Sequence, residues 1–346
     1  MLKMTRSKDY WQIGIIGVSV KTARQNKIVL LLPAALLLVT GLLVFILSSS
    51  LGNSDIKPAA DRTGDMVQDD TAKDADKPIS QVRDSADTNG TTTGVRYVQV
   101  AGKQCIIDID ESSVSISIEN GSDIYRYDVG EEGTVIVSDY ISDIDGDETD
   151  EILAITGDAG QEYGSDFRIL KLELTGGAVS ISEMNRIDLK AFNPWKVQTC
   201  DVDGDGTLEV SFGVYKTSRF HPVMAKRPFI YNLHDNGISP KWRGSRLSRP
   251  FDDYIFSDIN ADGADEIISI EYLDDGKKAV NSYAWKGFGF EGIGESEAFD
   301  DVLGIRKSEA DGKAAQTIDA RVIEDGQERW IKLIHDNDVL SAVEYG

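Results

Sequence analysis

Ten residues in the middle of the chain, Asp201-Val202-Asp203-Gly204-Asp205-Gly206-Thr207-Leu208-Glu209-Val210, set three aspartates at alternate positions of a glycine-bearing loop, then a glutamate, then apolar residues. Related segments begin at Asp143 and Asp258, so the starts 143, 201 and 258 are 58 and 57 residues apart. Oxygen ligands at loop positions 1, 3 and 5 can converge on one point, which suits a hard cation needing about six to eight oxygens at roughly 2.3–2.6 Å. The expected ligand sets are Asp143, Asp145, Asp147, the Thr149 carbonyl and Glu151; Asp201, Asp203, Asp205, the Thr207 carbonyl and Glu209; and Asp258, Asn260, Asp262, the Ala264 carbonyl and Glu266. Without a cation, three or four converging carboxylates repel one another, so the expected role of the metal is structural. The helix-flanked calcium loop of EF-hand type is excluded. It requires an acid at position 12, where this chain has Ala154, Phe212 and Ser269 inside apparent strands.

These loops need a scaffold that repeats with them. From about Gly94 onward, short runs rich in Val, Ile, Tyr and Phe recur between turn signals, as in Ser113-Val-Ser-Ile-Ser-Ile118, whose alternation gives one apolar face. No long amphipathic helical pattern occurs. Between Asp143 and Asp201 there is room for four strands, near Glu151–Thr156, Phe167–Leu174, Ala178–Glu183 and Trp195–Cys200. Four antiparallel strands per repeat is the content of a propeller blade. Fainter relatives of the loop at Asp87-Thr-Asn-Gly90 and Glu324-Asp-Gly326 extend the count. The expected fold class is therefore all-β, a β-propeller of about five four-stranded blades over residues 94–346, with one blade shared between the chain ends allowed by the spacing.

The three loops resemble the calcium loops of the FG-GAP/VCBS repeat family, the blades of integrin-type β-propellers. Aspartates at positions 1, 3 and 5, an acid at 9 and a following hydrophobic strand carry the resemblance. It implies about three structural calcium ions, held between the first and second strands of successive blades. Two loops depart from the pattern: Glu148 stands where the others have glycine, and Asn260-Ala261 replaces Asp-Gly.

Upstream, Ile28 to Leu47 is a run of twenty residues without a charge, about the length that spans a bilayer as a helix. Lys3, Arg6, Lys8, Lys21, Arg24 and Lys27 precede it against a single Asp9, so the positive-inside tendency places residues 1–27 in the cytoplasm and everything beyond the anchor at 28–48 outside. A cleaved signal peptide is the rival reading, disfavoured by the length of the run and the lack of a small-residue cleavage site. Residues 49–93 carry nine aspartates, five basic residues and almost no large apolar groups, a composition that stays disordered and serves as a tether. The net charge of −23 disfavours nucleic acid as a partner. Cys105 and Cys200 are the only cysteines; Cys200 precedes its loop as Ser142 and Ser257 precede theirs, which suggests a small half-buried residue.

Between Lys216 and Arg249 the charge inverts, with eight bases against the single acid Asp235 and with aromatics interleaved. Arg219, His221, Lys226, Arg227, Lys241, Trp242, Arg243, Arg246 and Arg249 could form a surface for an anionic envelope polymer, a glycan or a protein partner, because arginine forks match carboxylate and phosphate. The same bases could instead pair with the domain's abundant carboxylates. No catalytic motif assembles: the three histidines lack metal-site spacing, and His234-Asp235 and His335-Asp336 read as turns. The sequence thus favours a membrane-anchored binding or adhesion module, ahead of a surface hydrolase or lyase and of a structural or sensory ectodomain.

Overall fold

The computed structural model describes three N-terminal strand segments and residues 95–343, apart from 120, 122, 235–236, 245 and 309–314. The segments β1 (Lys3–Arg6), β2 (Tyr10–Ile15) and β3 (Val18–Ala23) pair antiparallel as a sheet of their own, in a unit separate from the rest. No helix among the described residues is long and apolar enough to cross a membrane, and the run at 28–48 and the tether at 49–93 lie outside them.

Residues 95–343 are all-β and form five successive four-stranded antiparallel meanders. The first is β4 (Arg96–Val100), β5 (Lys103–Ile109), β6 (Ser113–Ile118) and β7 (Ile124–Asp128). The second is β8 (Thr134–Ser142), β9 (Glu151–Asp158), β10 (Asp166–Thr175) and β11 (Ala178–Asp188). Then come β12 (Pro194–Cys200), β13 (Glu209–Ser218), β14 (His221–His234) and β15 (Gly237–Arg243). The fourth is β16 (Phe251–Ser257), β17 (Glu266–Tyr272), β18 (Lys278–Trp285) and β19 (Phe290–Glu295). The last is β20 (Asp301–Lys307), β21 (Ile318–Glu324), β22 (Gln327–Asp336) and β23 (Val339–Val343). One parallel pair, Glu295 with Val339, joins the outer strands of the fourth and fifth sheets.

Each meander is contiguous in sequence, so none is shared between chain ends. The expected marker at Glu324–Gly326 is also not a copy of the acidic loop. It is the tight β21–β22 turn, with Asp325 and Gly326 at φ 49° and 73°.

Four hydrophobic cores lie between successive sheets, and adjacent residues on the second and third strands feed different ones. Ile152 faces the first sheet and Leu153 the third; Phe229 faces the second and Ile230 the fourth; Ile267 faces the third and Ile268 the fifth. This explains why Glu151-Ile-Leu-Ala-Ile-Thr-Gly157 is buried at every position, whereas β5 alternates, since only one face of the first sheet is covered. Among the described residues no core joins the fifth sheet to the first. The first strands of sheets one to four are linked in turn: Arg96 pairs with Asp139, the Val197 N–H donates to Ser138 Oγ (3.1 Å), and Gln198 Nε2 donates to the Tyr254 carbonyl (3.2 Å). Ser257 of β16 donates to Gln316 (2.7 Å), in the link between β20 and β21.

Phe212 sits at the heart of the core between sheets two and three, 1% exposed and edge-on to Phe167 at 4.9 Å. Phe212→Ala should lower stability by about 3–5 kcal/mol, read as a shift of the denaturant midpoint with unchanged slope.

Candidate metal centre

The acidic loops occupy one topological place, the link from first to second strand of sheets two, three and four. Their backbones are built alike. The position-1 aspartate receives N–H bonds from the far side of the loop: Asp143 from Gly146 (2.8 Å), Asp147 (3.0 Å) and Glu148 (3.0 Å), Asp201 from Asp205 (3.1 Å) and Gly206 (2.8 Å), Asp258 from Asp262 (3.2 Å) and Gly263 (3.1 Å). The position-5 aspartates Asp147, Asp205 and Asp262 accept from Thr149, Thr207 and Ala264 at 2.9, 2.7 and 2.9 Å. Position 2 is a buried hydrophobe, Ile144, Val202 or Ile259, that roots the loop in a core. Position 12, Ala154, Phe212 or Ser269, lies buried in β9, β13 or β17.

The tight path puts positions 4 and 6 in the left-handed region: Gly146 and Glu148, Gly204 and Gly206, Ala261 and Gly263. A side chain there costs about 1–2 kcal/mol against glycine, so Glu148 at φ 66° and Ala261 at φ 60° are strained.

Position 9 decides the chemistry. Glu151, Glu209 and Glu266 open the second strand and are 0%, 2% and 1% exposed. In each, Oε2 accepts the N–H of position 2: Ile144 at 3.2 Å, Val202 at 3.1 Å and Ile259 at 3.1 Å. The fate of Oε1 differs from loop to loop. In the first loop it is buried with no hydrogen-bond partner among the described residues, while one oxygen each of Asp143, Asp145 and Glu151 lie within 4.8 Å of one another. In the second loop, Asp201, Asp203 and Glu209 converge in the same way, but Lys241 Nζ stands 2.5 Å from both Glu209 Oε1 and Asp203 Oδ2. In the third, Asn260 Nδ2 donates to Glu266 Oε1 (2.8 Å) and Asp262 (3.1 Å). Burial, reinforced by Asp145 and Asp147, pushes the Glu151 carboxyl up to about 7; burial with Asp262, Asp258 and Asp265 nearby pushes Glu266 up to about 8. Burial also raises Glu209, with Lys241 opposing. The first loop fits a hard cation best, since Asp143, Asp145 and Glu151 converge where a buried carboxylate oxygen has no hydrogen-bond partner among the described residues, although Lys171 Nζ stands 3.0 Å from Asp147 and 3.9 Å from Asp145.

Position 8 carries a role that the spacing did not reveal. The Asp265 N–H donates to the Asp201 carbonyl (2.7 Å), and its carboxylate accepts the Asp201 N–H (3.0 Å), tying the third loop to the second. Asp150 makes the same reciprocal pair with Gln99 of β4, at 2.9 and 2.6 Å. Gln316 donates its N–H to the Asp258 carbonyl at 2.9 Å. The repeated Asp-Glu at 150–151 and 265–266 was the available signal.

The basic segment is spread rather than gathered. Arg227 is fully buried in the β13–β14 hairpin, donating to the carbonyls of Lys216 (2.7 Å), His221 (3.1 Å) and Val223 (2.8 Å) and facing His221 Nδ1 at 3.0 Å. Lys226 donates to the Asp252 carbonyl (2.6 Å) and lies over Trp195, Arg249 pairs with Glu295 (2.8 Å), and Trp242 packs on Phe290. Arg219, Arg243 and Arg246 are exposed. Cys200 is 1% exposed, more deeply buried than its place before the loop suggested, and both cysteines are free thiols. His335 lies within β22 rather than in a turn, donating Nε2 to the Ile293 carbonyl at 3.0 Å.

An open cleft of about 590 Å³ runs between the second and third loops, lined by Asp203, Lys241, Asp262 and Trp285. Trp285 had no sequence signal.

No known family model and no curated protein sequence matches the chain.

Relief of the left-handed strain is testable without changing charge. Ala261→Gly should raise stability by roughly 1 kcal/mol, after allowance for the added freedom of the unfolded chain, and thermal unfolding of the variant beside the parent measures it.

Proposed function

We propose that this chain is a membrane-anchored extracytoplasmic β-propeller of the FG-GAP/VCBS kind, stabilised by calcium in its acidic loops and acting as a binding or adhesion module. The observation that carries the reading is the coincidence of three like-built acidic loops with one connection, first to second strand, in consecutive four-stranded sheets. The sequential linking of the first strands of sheets one to four supports a propeller arrangement. The run at 28–48 and the acidic tether beyond it support an anchor with its N-terminus in the cytoplasm.

The ligand proposed is an anionic envelope polymer, a glycan or a protein surface. Support comes from the cleft between the second and third loops, where an aromatic ring stands beside carboxylates and an ammonium, a mixture suited to a ring that stacks and hydroxyls that hydrogen-bond. The exposed Arg219, Arg243 and Arg246 are bases of the segment 216–249 that are placed to meet an anion in solvent.

Two measurements test this. The full-length chain in detergent should melt at a higher temperature in excess calcium than in chelator. One site at about a hundred times its dissociation constant contributes ~2.7 kcal/mol; equal midpoints would sink the calcium reading. On an array of glycans and envelope polymers the chain should bind without turning the ligand over. Trp285→Ala, or Arg243→Glu with Arg246→Glu, should weaken capture about tenfold or more while the fold is retained, in keeping with a stacked aromatic or buried ion pair. Turnover of a polymer in that assay would replace the module by an enzyme.

A further inference from the structure

The second acidic loop has a cation of its own. Lys241 Nζ stands 2.5 Å from Glu209 Oε1 and 2.5 Å from Asp203 Oδ2, and its side chain is only 12% exposed. It therefore holds two of the three carboxylates that converge in that loop. The buried oxygen that is orphaned in Glu151 is satisfied in Glu209 by this ammonium.

The placement of Lys241 is a product of sheet geometry. In β15 the register slips between Ile230↔Trp242 and Tyr231↔Pro240, leaving Lys241 as the extra residue of a β-bulge. The fourth strands of the flanking sheets slip at the corresponding point. Met184 is the extra residue between Ile169↔Asn185 and Leu170↔Glu183, and Ile293 between Ser282↔Gly294 and Tyr283↔Gly292. The facing residues Leu170, Tyr231 and Tyr283 each pair with position 10 of their own loop, Ile152, Val210 and Ile267, so the three bulges are equivalent. A bulge turns a side chain out of the pleat and re-aims it. Of the three occupants, methionine, lysine and isoleucine, only the lysine can put a charge into its loop.

The first loop also has a nearby lysine, but it comes from another strand and pairs with the position-3 and position-5 aspartates, not with the glutamate. Lys171 of β10 reaches Asp147 at 3.0 Å and Asp145 at 3.9 Å, from a side chain 31% exposed. The third loop uses Asn260 to satisfy Glu266 from within.

We infer that Lys241 is the resident cation of the second loop, a tethered ammonium standing where a divalent ion would otherwise bind, so that the chain takes calcium in its first loop and closes its second and third loops with its own side chains. This rests on the calcium reading of the acidic loops and narrows it from three ions to one.

Equilibrium dialysis of calcium against the full-length chain in detergent tests it. The parent should bind one ion, Glu151→Gln none, and Lys241→Met two. The last variant should also melt lower than the parent in chelator and recover in calcium. The reverse variant Met184→Lys, which puts an ammonium at the equivalent bulge of the second sheet, should weaken calcium binding by the first loop about tenfold or more through like-charge repulsion. It covers the case in which Lys241→Met fails to fold. Lys241→Met binding no more calcium than the parent, or Met184→Lys binding it as tightly, overturns the tethered-cation inference. A parent that binds no calcium while Lys241→Met gains one ion overturns the calcium reading of the first loop and leaves the inference standing.

Discussion

A buried carboxylate at the head of the second strand governs the central part of this structure. Taking such a group out of water costs several kcal/mol unless every oxygen finds a partner. Glu151, Glu209 and Glu266 solve half of the problem identically, by accepting the N–H of position 2, which also pins the loop to the strand that follows it. The other half differs from loop to loop: a lysine from the fourth strand meets Glu209, an asparagine inside the loop meets Glu266, and the second oxygen of Glu151 has no hydrogen-bond partner among the described residues. One repeated sequence thus yields three unlike electrostatic sites.

The loops are also joints between sheets. Asp265 closes on the backbone of Asp201, Asp150 on Gln99, and Gln316 on Asp258. Each of these bonds joins the link between strands one and two of one sheet to the sheet before it. The cores share this logic, since each is composed of residues from two successive sheets. A change of charge inside a loop therefore acts on an inter-sheet contact as well as on a turn.

The basic segment illustrates how a charge excess of −23 disposes of its cations. Lys226 and Arg249 find oxygen partners in the fourth sheet. Lys241 enters the second loop, and Arg227 is consumed by backbone carbonyls of its own hairpin. What is left exposed from that segment is a sparse set of arginines, Arg219, Arg243 and Arg246.

The period, the strand content and the loop frame are legible in the order of the residues alone. Side-chain alternation, turn residues and the spacing of carboxylates are local properties, legible wherever Ser113–Ile118 or Asp201–Glu209 is read. The sequence even marked the strained positions, because Glu148 and Ala261 stand where glycine belongs. It could not say which loop lacks a partner for its glutamate. That depends on a bulge in a strand about thirty residues away, which aims Lys241 at Glu209 while its equivalents present Met184 and Ile293. Nor could it show that Asp150 and Asp265 clamp neighbouring sheets, or that Trp285 borders a cleft beside the second loop. Those outcomes belong to the tertiary structure, because a buried charge is settled by whichever group packing brings within hydrogen-bond reach, and that group is set by register and not by sequence distance.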